Sequence, residues 1–211
     1  MSRQLPAAKT TTKNMSLDEK YDEILVKIME SKEFRNQLEE INTNYNNLKQ
    51  ESFIRNYILE KLNAYFVSKG KMHIRAFAEH PRINKTRVDL SIVDQSDILK
   101  PFKIEFKYQF SGDDRNMLNY GKVIDQSYEF RESNLFILII SHWNKKEKAD
   151  YDKKWGITSN LSRYISADDR WKDNIRDSFK KFTTGILMET EVIKLDKPFP
   201  SEYYFYILNR I

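Results

Sequence analysis

The sequence predicts a mixed α/β fold whose central run is helix, three strands, helix, strand, over about residues 50 to 141. Three observations predict it. Between Gln50 and Phe66 apolar residues recur at helical spacing. The segments 87–94 and 102–110 alternate apolar and polar side chains with the period of two that a strand imposes. The run Leu135 to Ile140 is apolar throughout, as in a short strand buried on both faces.

Taken in order, residues 1–14 are small, polar and basic and read as a disordered tail. Ser16 and Glu19 form a capping box for a first helix carrying Tyr21, Ile24, Leu25 and Ile28. A second helix carries the stripe Phe34, Leu38, Ile41, Tyr45 and Leu48, which either packs on the body of the protein or pairs two copies. A third runs from about Gln50 to Phe66 and stops before Lys69-Gly70. Strands follow at 72–79, 87–94 and 102–110, with Pro81, Asn84, Asp97 and Pro101 in the turns between them. Residues 115–132 read as a helix presenting Met117, Tyr120, Ile124 and Tyr128, and Leu135–Ile140 as the next strand. Residues 143–165 read as a charged, aromatic-studded connection, 166–182 as a helix capped by Ser166, and 185–195 and 203–208 as strands. The resulting organisation is a tail (1–14), a helical extension (15–49), a core (50–141) and a C-terminal α/β extension packed on it (142–211).

Composition narrows the function classes. The chain has 211 residues, no cysteine and no apolar run near the roughly 18 residues of a membrane span. Disulfide staples, thiolate zinc sites and cysteine nucleophiles are thereby excluded, and a cytoplasmic protein is expected. The three histidines, His73, His80 and His142, have no close metal-ligand spacing and read as bystanders. A net charge of +5 is compatible with a polyanionic partner without requiring one.

The chemistry concentrates on two strands. Val88, Leu90 and Ile92 share one face of the first, leaving Asp89 and Ser91 on the other. On the second, Ile104, Phe106 and Tyr108 share one face, and Glu105, Lys107 and Gln109 the other. If the strands are neighbours, Asp89 meets Glu105, and two carboxylates that close repel unless a cation sits between them. The pattern Asp/Glu-x-Lys occurs at four places, Asp18, Glu30, Glu105 and Asp152, but only Glu105-Phe106-Lys107 lies in an alternating strand. The competing account is a cross-strand salt-bridge ladder on a solvated face. On a helical wheel Glu51 falls among Ile54, Ile58 and Leu62, an inward position that is costly for a carboxylate without a partner.

An acid-bearing helix, three strands, a helix and a strand, with Asp89 on the second strand and Glu105-Phe106-Lys107 on the third, resembles the PD-(D/E)XK nuclease superfamily. Glu51 matches the helix acid found in many members, and Val88 stands where the motif has proline. Gln126 and Phe130 are only partly similar to a Gln-x-x-x-Tyr signature of recombination-type members. The resemblance implies a restriction-endonuclease-like αβββαβ core and a Mg²⁺-dependent endonuclease, possessing a restriction-type activity on DNA in the leading reading. It implies that Asp89, Glu105 and the Phe106 carbonyl hold Mg²⁺ (or Mn²⁺), that Lys107 orients the attacking water or stabilises the phosphorane, and that Glu51 acts through a water. Arg82, Lys85, Arg87, Gln109 and Lys122, with Arg75, are the expected DNA contacts, and the tract 145–181 with Trp155, Tyr164 and Trp171 is a further one. One site cuts one strand, so a homodimer is expected, with the second-helix stripe as a pairing surface. The alternatives are a non-catalytic nucleic-acid-binding or assembly module on the same fold, and an RNA-directed effector nuclease.

Overall fold

The computed structural model describes residues 20–83, 86–112, 120–182 and 185–210, without the side chains of Ile83, Thr86 and Phe182. The expected tail, the Ser16–Glu19 capping box, Asn84, Lys85 and residues 113–119 with Met117 lie outside the described residues. Among those described, the order is α1 (Tyr21–Met29), α2 (Lys32–Tyr45), α3 (Glu51–Ser68), β1 (Ile74–Ala78), β2 (Arg82–Ile83), β3 (Thr86–Arg87), β4 (Leu90–Asp94) and β5 (Phe102–Phe110). Then come α4 (Gly121–Ile124), a π-helical turn (Asp125–Glu129), β6 (Leu135–Trp143), α5 (Lys145–Lys154), a 3₁₀ turn (Leu161–Tyr164) and α6 (Arg170–Phe182). Strands β7 (Ile186–Glu189), β8 (Ile193–Leu195) and β9 (Ser201–Asn209) complete the chain.

Seven strands make one mixed sheet in the order β1-β4-β5-β6-β9-β7, with β8 on β9, while β2 and β3 form a separate hairpin. Only β5 and β6 run parallel within it, Glu105 lying opposite Phe136 and Lys107 opposite Leu138. Helices cover both faces. Ile104, Phe106, Tyr108, Ile137 and Ile139 pack with Leu25, Phe34, Leu38, Ile54, Ile58 and Leu62 on one side. Phe136, Leu138 and Ile140 meet Tyr120, Ile124, Tyr128, Trp171 and Phe179 on the other. β6 is thus buried on both faces, which is why its sequence shows no alternation.

Several elements depart from expectation. Of the helix expected at 115–132, residues 115–119 lie outside the described residues; 121–129 are helical without a break, an α-turn running into a π-turn closed by Phe130 N–H donating to the Asp125 carbonyl at 2.8 Å. The Arg210 guanidinium takes the Tyr128 carbonyl at 3.0 Å and the Ser133 carbonyl at 2.9 Å, so the helix end is satisfied from a distant part of the chain. Residues 145–154, read as connection, form α5, and 185–195 divide into two strands that both pair with β9. The α2 stripe is also corrected as a pairing surface: Phe34, Leu38 and Ile41 are buried in this chain's own core, leaving only Tyr45 and Leu48 exposed.

Candidate active site at the open edge of β5

The antiparallel ladder between β4 and β5 ends where Leu90 meets Ile104, yet β5 continues to Phe110. Beyond Ile104 no β4 residue satisfies that edge, and two carboxylates do so instead. The Phe106 N–H donates to Asp89 Oδ2 at 2.8 Å, and the Tyr108 N–H to Glu51 Oε2 at 2.7 Å. Asp89 stands immediately before β4, and Glu51 opens α3, whose Ile54, Ile58 and Leu62 are fully buried on the sheet. The inward position read for Glu51 therefore holds. In a strand the N–H and C=O of one residue leave by the same edge, so the Phe106 carbonyl opens on the side of Asp89.

Glu105 points to the opposite face and is only 1% exposed. Its Oε1 accepts the Asp89 N–H at 3.3 Å, and its Oε2 accepts from the Arg131 guanidinium, which also donates to the Arg87 carbonyl at 3.1 Å. Burial, and secondarily the Asp89 charge, push the Glu105 carboxyl up to about 9, against the opposing pull of Arg131. Glu51 is also raised, by burial first, partly offset by the Tyr108 N–H, with Asp89 raising it and Lys107 lowering it. Lys107 is half-buried and makes no hydrogen bond or ion pair among the described residues. Four residues singled out from sequence (Glu51, Asp89, Glu105 and Lys107) thus come together from three elements.

The exposed-ladder account of this sheet face does not hold at Glu105, which is enclosed. Arg131 already brings a positive charge to Glu105, beside a half-buried Asp89, and two carboxylates with a main-chain carbonyl are the hard-oxygen donors that Mg²⁺ takes. The donor set fits such an ion. No group of three or more histidine, aspartate or glutamate side chains is arranged to hold a metal among the described residues, so water would have to complete the shell.

The expected contact residues are scattered. Arg75, Arg82 and Lys122 are exposed. Arg87 is exposed too, but is ion-paired with Glu79, which also meets Arg55 at 3.6 Å. Gln109 is half-buried on the row of Glu105 and Lys107, and its Oε1 is enclosed with no hydrogen-bond partner among the described residues. Ser91 stands opposite Lys103, on the sheet face of Glu105 and Lys107, but it is fully buried and pairs with His80 Nδ1 at 3.0 Å. Trp171 is 1% exposed and belongs to the second core, and Tyr164 stacks on Phe110; of the three aromatics proposed for DNA, only Trp155 is exposed. Sequence reasoning missed Arg131. The signal lay in the parallel pairing of β5 with β6, which sets Ile104 beside Leu135 and so brings residues just before β6 alongside Glu105.

No helix among the described residues is long and apolar enough to cross a membrane. Compared with protein-family models, with curated proteins and with solved structures, the chain matches none.

Proposed function

We propose that this chain is a divalent-cation-dependent endonuclease of DNA, built on a restriction-endonuclease-like core. The observation that carries the reading is the convergence of Asp89, Glu105 and Glu51 with Lys107, a half-buried ammonium that meets no acid or acceptor among the described residues. The order α3, β1, β4, β5, then β6 after a helical crossover, with β1-β4-β5-β6 adjacent, supports the core assignment. Asp89, Glu105 and the Phe106 carbonyl would hold Mg²⁺ or Mn²⁺. Bound there, the ion would supply charge to the scissile phosphate and acidity to an attacking water. The Phe106 N–H fixes the Asp89 carboxylate, and the Tyr108 N–H fixes Glu51, which would accept a proton through a water. Lys107 would donate to the phosphate oxygens as negative charge gathers on them. Breaking both strands in one encounter would require a second copy, meeting through a surface other than the α2 stripe.

The test is cleavage of plasmid, linear duplex, single-stranded DNA and RNA with Mg²⁺, Mn²⁺, Ca²⁺ or EDTA. Cutting of DNA with Mg²⁺ or Mn²⁺, lost in Asp89→Asn, is the expected result. Undiminished cutting in EDTA would refute the metal dependence. A second reading is favoured by the bonds of Asp89 and Glu51 to the β5 edge: both acids would serve only to close the sheet. It predicts that Asp89→Asn lowers stability, with no metal binding to lose.

A further inference from the structure

The Glu105 carboxylate meets a cation already, and that cation belongs to the protein. Arg131 lies in the short connection between the π-turn and β6, with a side chain 28% exposed at the rim. Its guanidinium is tied at two points, to Glu105 Oε2 and to the Arg87 carbonyl. The other Glu105 oxygen is turned to the Asp89 N–H. Each Glu105 oxygen thus has one protein partner, and an ion that takes Oε2 shares it with Arg131. A carboxylate oxygen has room for two partners, but a divalent ion there would stand within about 4 Å of the guanidinium, with little water to screen them.

We propose that Arg131 is an internal counter-ion that competes with the divalent cation for Glu105, so that loading the site requires the guanidinium to swing out toward solvent. This rests on the function proposed above. The geometry is suited to such an exchange. The Arg131 side chain reaches the site from the rim rather than from the core, and its main-chain attachment is a turn outside the sheet ladders. The Arg87 carbonyl that it also holds lies at the end of the β2–β3 hairpin, so release of Arg131 removes one tie on the segment leading into Asp89, which the Val88 N–H to Pro81 and Glu79 N–H to Asp89 bonds keep in place. In this arrangement the metal-free protein keeps its two carboxyls compatible without an ion, and the same arginine becomes a free donor beside the site once an ion is bound.

The test uses the full chain and Mn²⁺ alone, with free Mn²⁺ followed by electron paramagnetic resonance at fixed pH. Arg131→Gln is expected to bind Mn²⁺ at least about tenfold more tightly than the parent. The gain should vanish when Asp89→Asn is added. A second measurement needs no destabilising change. In arginine-labelled parent protein, the Arg131 Nε–H resonance, identified by its absence in Arg131→Lys, should shift as Mg²⁺ saturates the site. Equal or weaker Mn²⁺ binding by folded Arg131→Gln, or an unmoved Arg131 signal at saturation, would overturn the exchange while leaving the nuclease reading intact. Absence of Asp89-dependent Mn²⁺ binding in both parent and variant would remove the nuclease reading, and the exchange with it.

Discussion

Lys107 and Glu105 sit two residues apart, yet their environments differ sharply. Glu105 is enclosed and paired, whereas Lys107 meets no partner among the described residues. Lys107→Met should therefore cut DNA cleavage by about 10²–10³-fold while Mn²⁺ binding and the melting temperature stay near the parent's. A turnover assay beside thermal unfolding checks it, and a large fall in melting temperature would mean that the ammonium is structural. His142 offers a pH test away from these residues. Its Nδ1 lies 2.8 Å from Ser111 Oγ, and burial holds its pKa below the usual 6.5. The unfolded chain then takes up the proton more readily than the folded one, so this contribution is complete above about pH 6.5 and is lost as pH falls below it. Replacing His142 with Gln should flatten the loss of melting temperature between pH 7 and 5; an unchanged slope would count against a half-buried neutral imidazole. At this scale, Asp89, Glu105, Lys107 and Glu51 were legible because strand alternation and a helical wheel fix facing. Arg131 was not, because its approach depends on which strand lies beside β5.

Elements were legible to the extent that apolar period defined them. β5 has the bounds read from its alternation, and α3 begins within one residue of its expected start. α5 was missed for a physical reason: KKEKADYDKK has almost no apolar face, and a polar contact docks it. Lys148 is fully buried, paired with Asp152 and donating to Asn47 Oδ1 at 2.8 Å, with its ammonium 5.2 Å from the centre of the Phe199 ring. Removing one partner of such a pair strands the other without compensation. Lys148→Ala should cost about 3–5 kcal/mol in urea unfolding, and Asp152→Ala a comparable amount. A cost below about 1 kcal/mol for Lys148→Ala would show that α5 is held by something else. The helix expected at 115–132 is helical over the described residues 121–129 and stops a few residues short of its expected end. Its face of Tyr120, Ile124 and Tyr128 is buried as read, but the π-turn and the Arg210 cap end it early, and neither leaves a periodic trace.

For the whole molecule, the sequence conveyed a mixed α/β fold with one strand buried on both faces but not the order of its C-terminal strands, because β9 pairs with β7 and β8 nearby in the chain and with the distant β6 at once. The apolar stripe of α2 was ambiguous between self and partner until its neighbours were known. The unfinished ladder of β5 has one consequence for the protein in solution. An exposed strand edge is a template on which another chain can add a strand, the first step toward edge-to-edge aggregation. Glu51 and Asp89 occupy the Phe106 and Tyr108 N–H groups that such a strand would need, and they bring negative charge to the spot. Removing both, in Glu51→Ala/Asp89→Ala, should lower the concentration at which the protein stays monodisperse in light scattering, whereas Lys107→Met should not. Equal solubility of the two variants would dismiss the effect. Two acids of the candidate site are then also gatekeepers, and loss of the site by mutation carries a penalty in colloidal stability that is independent of any substrate.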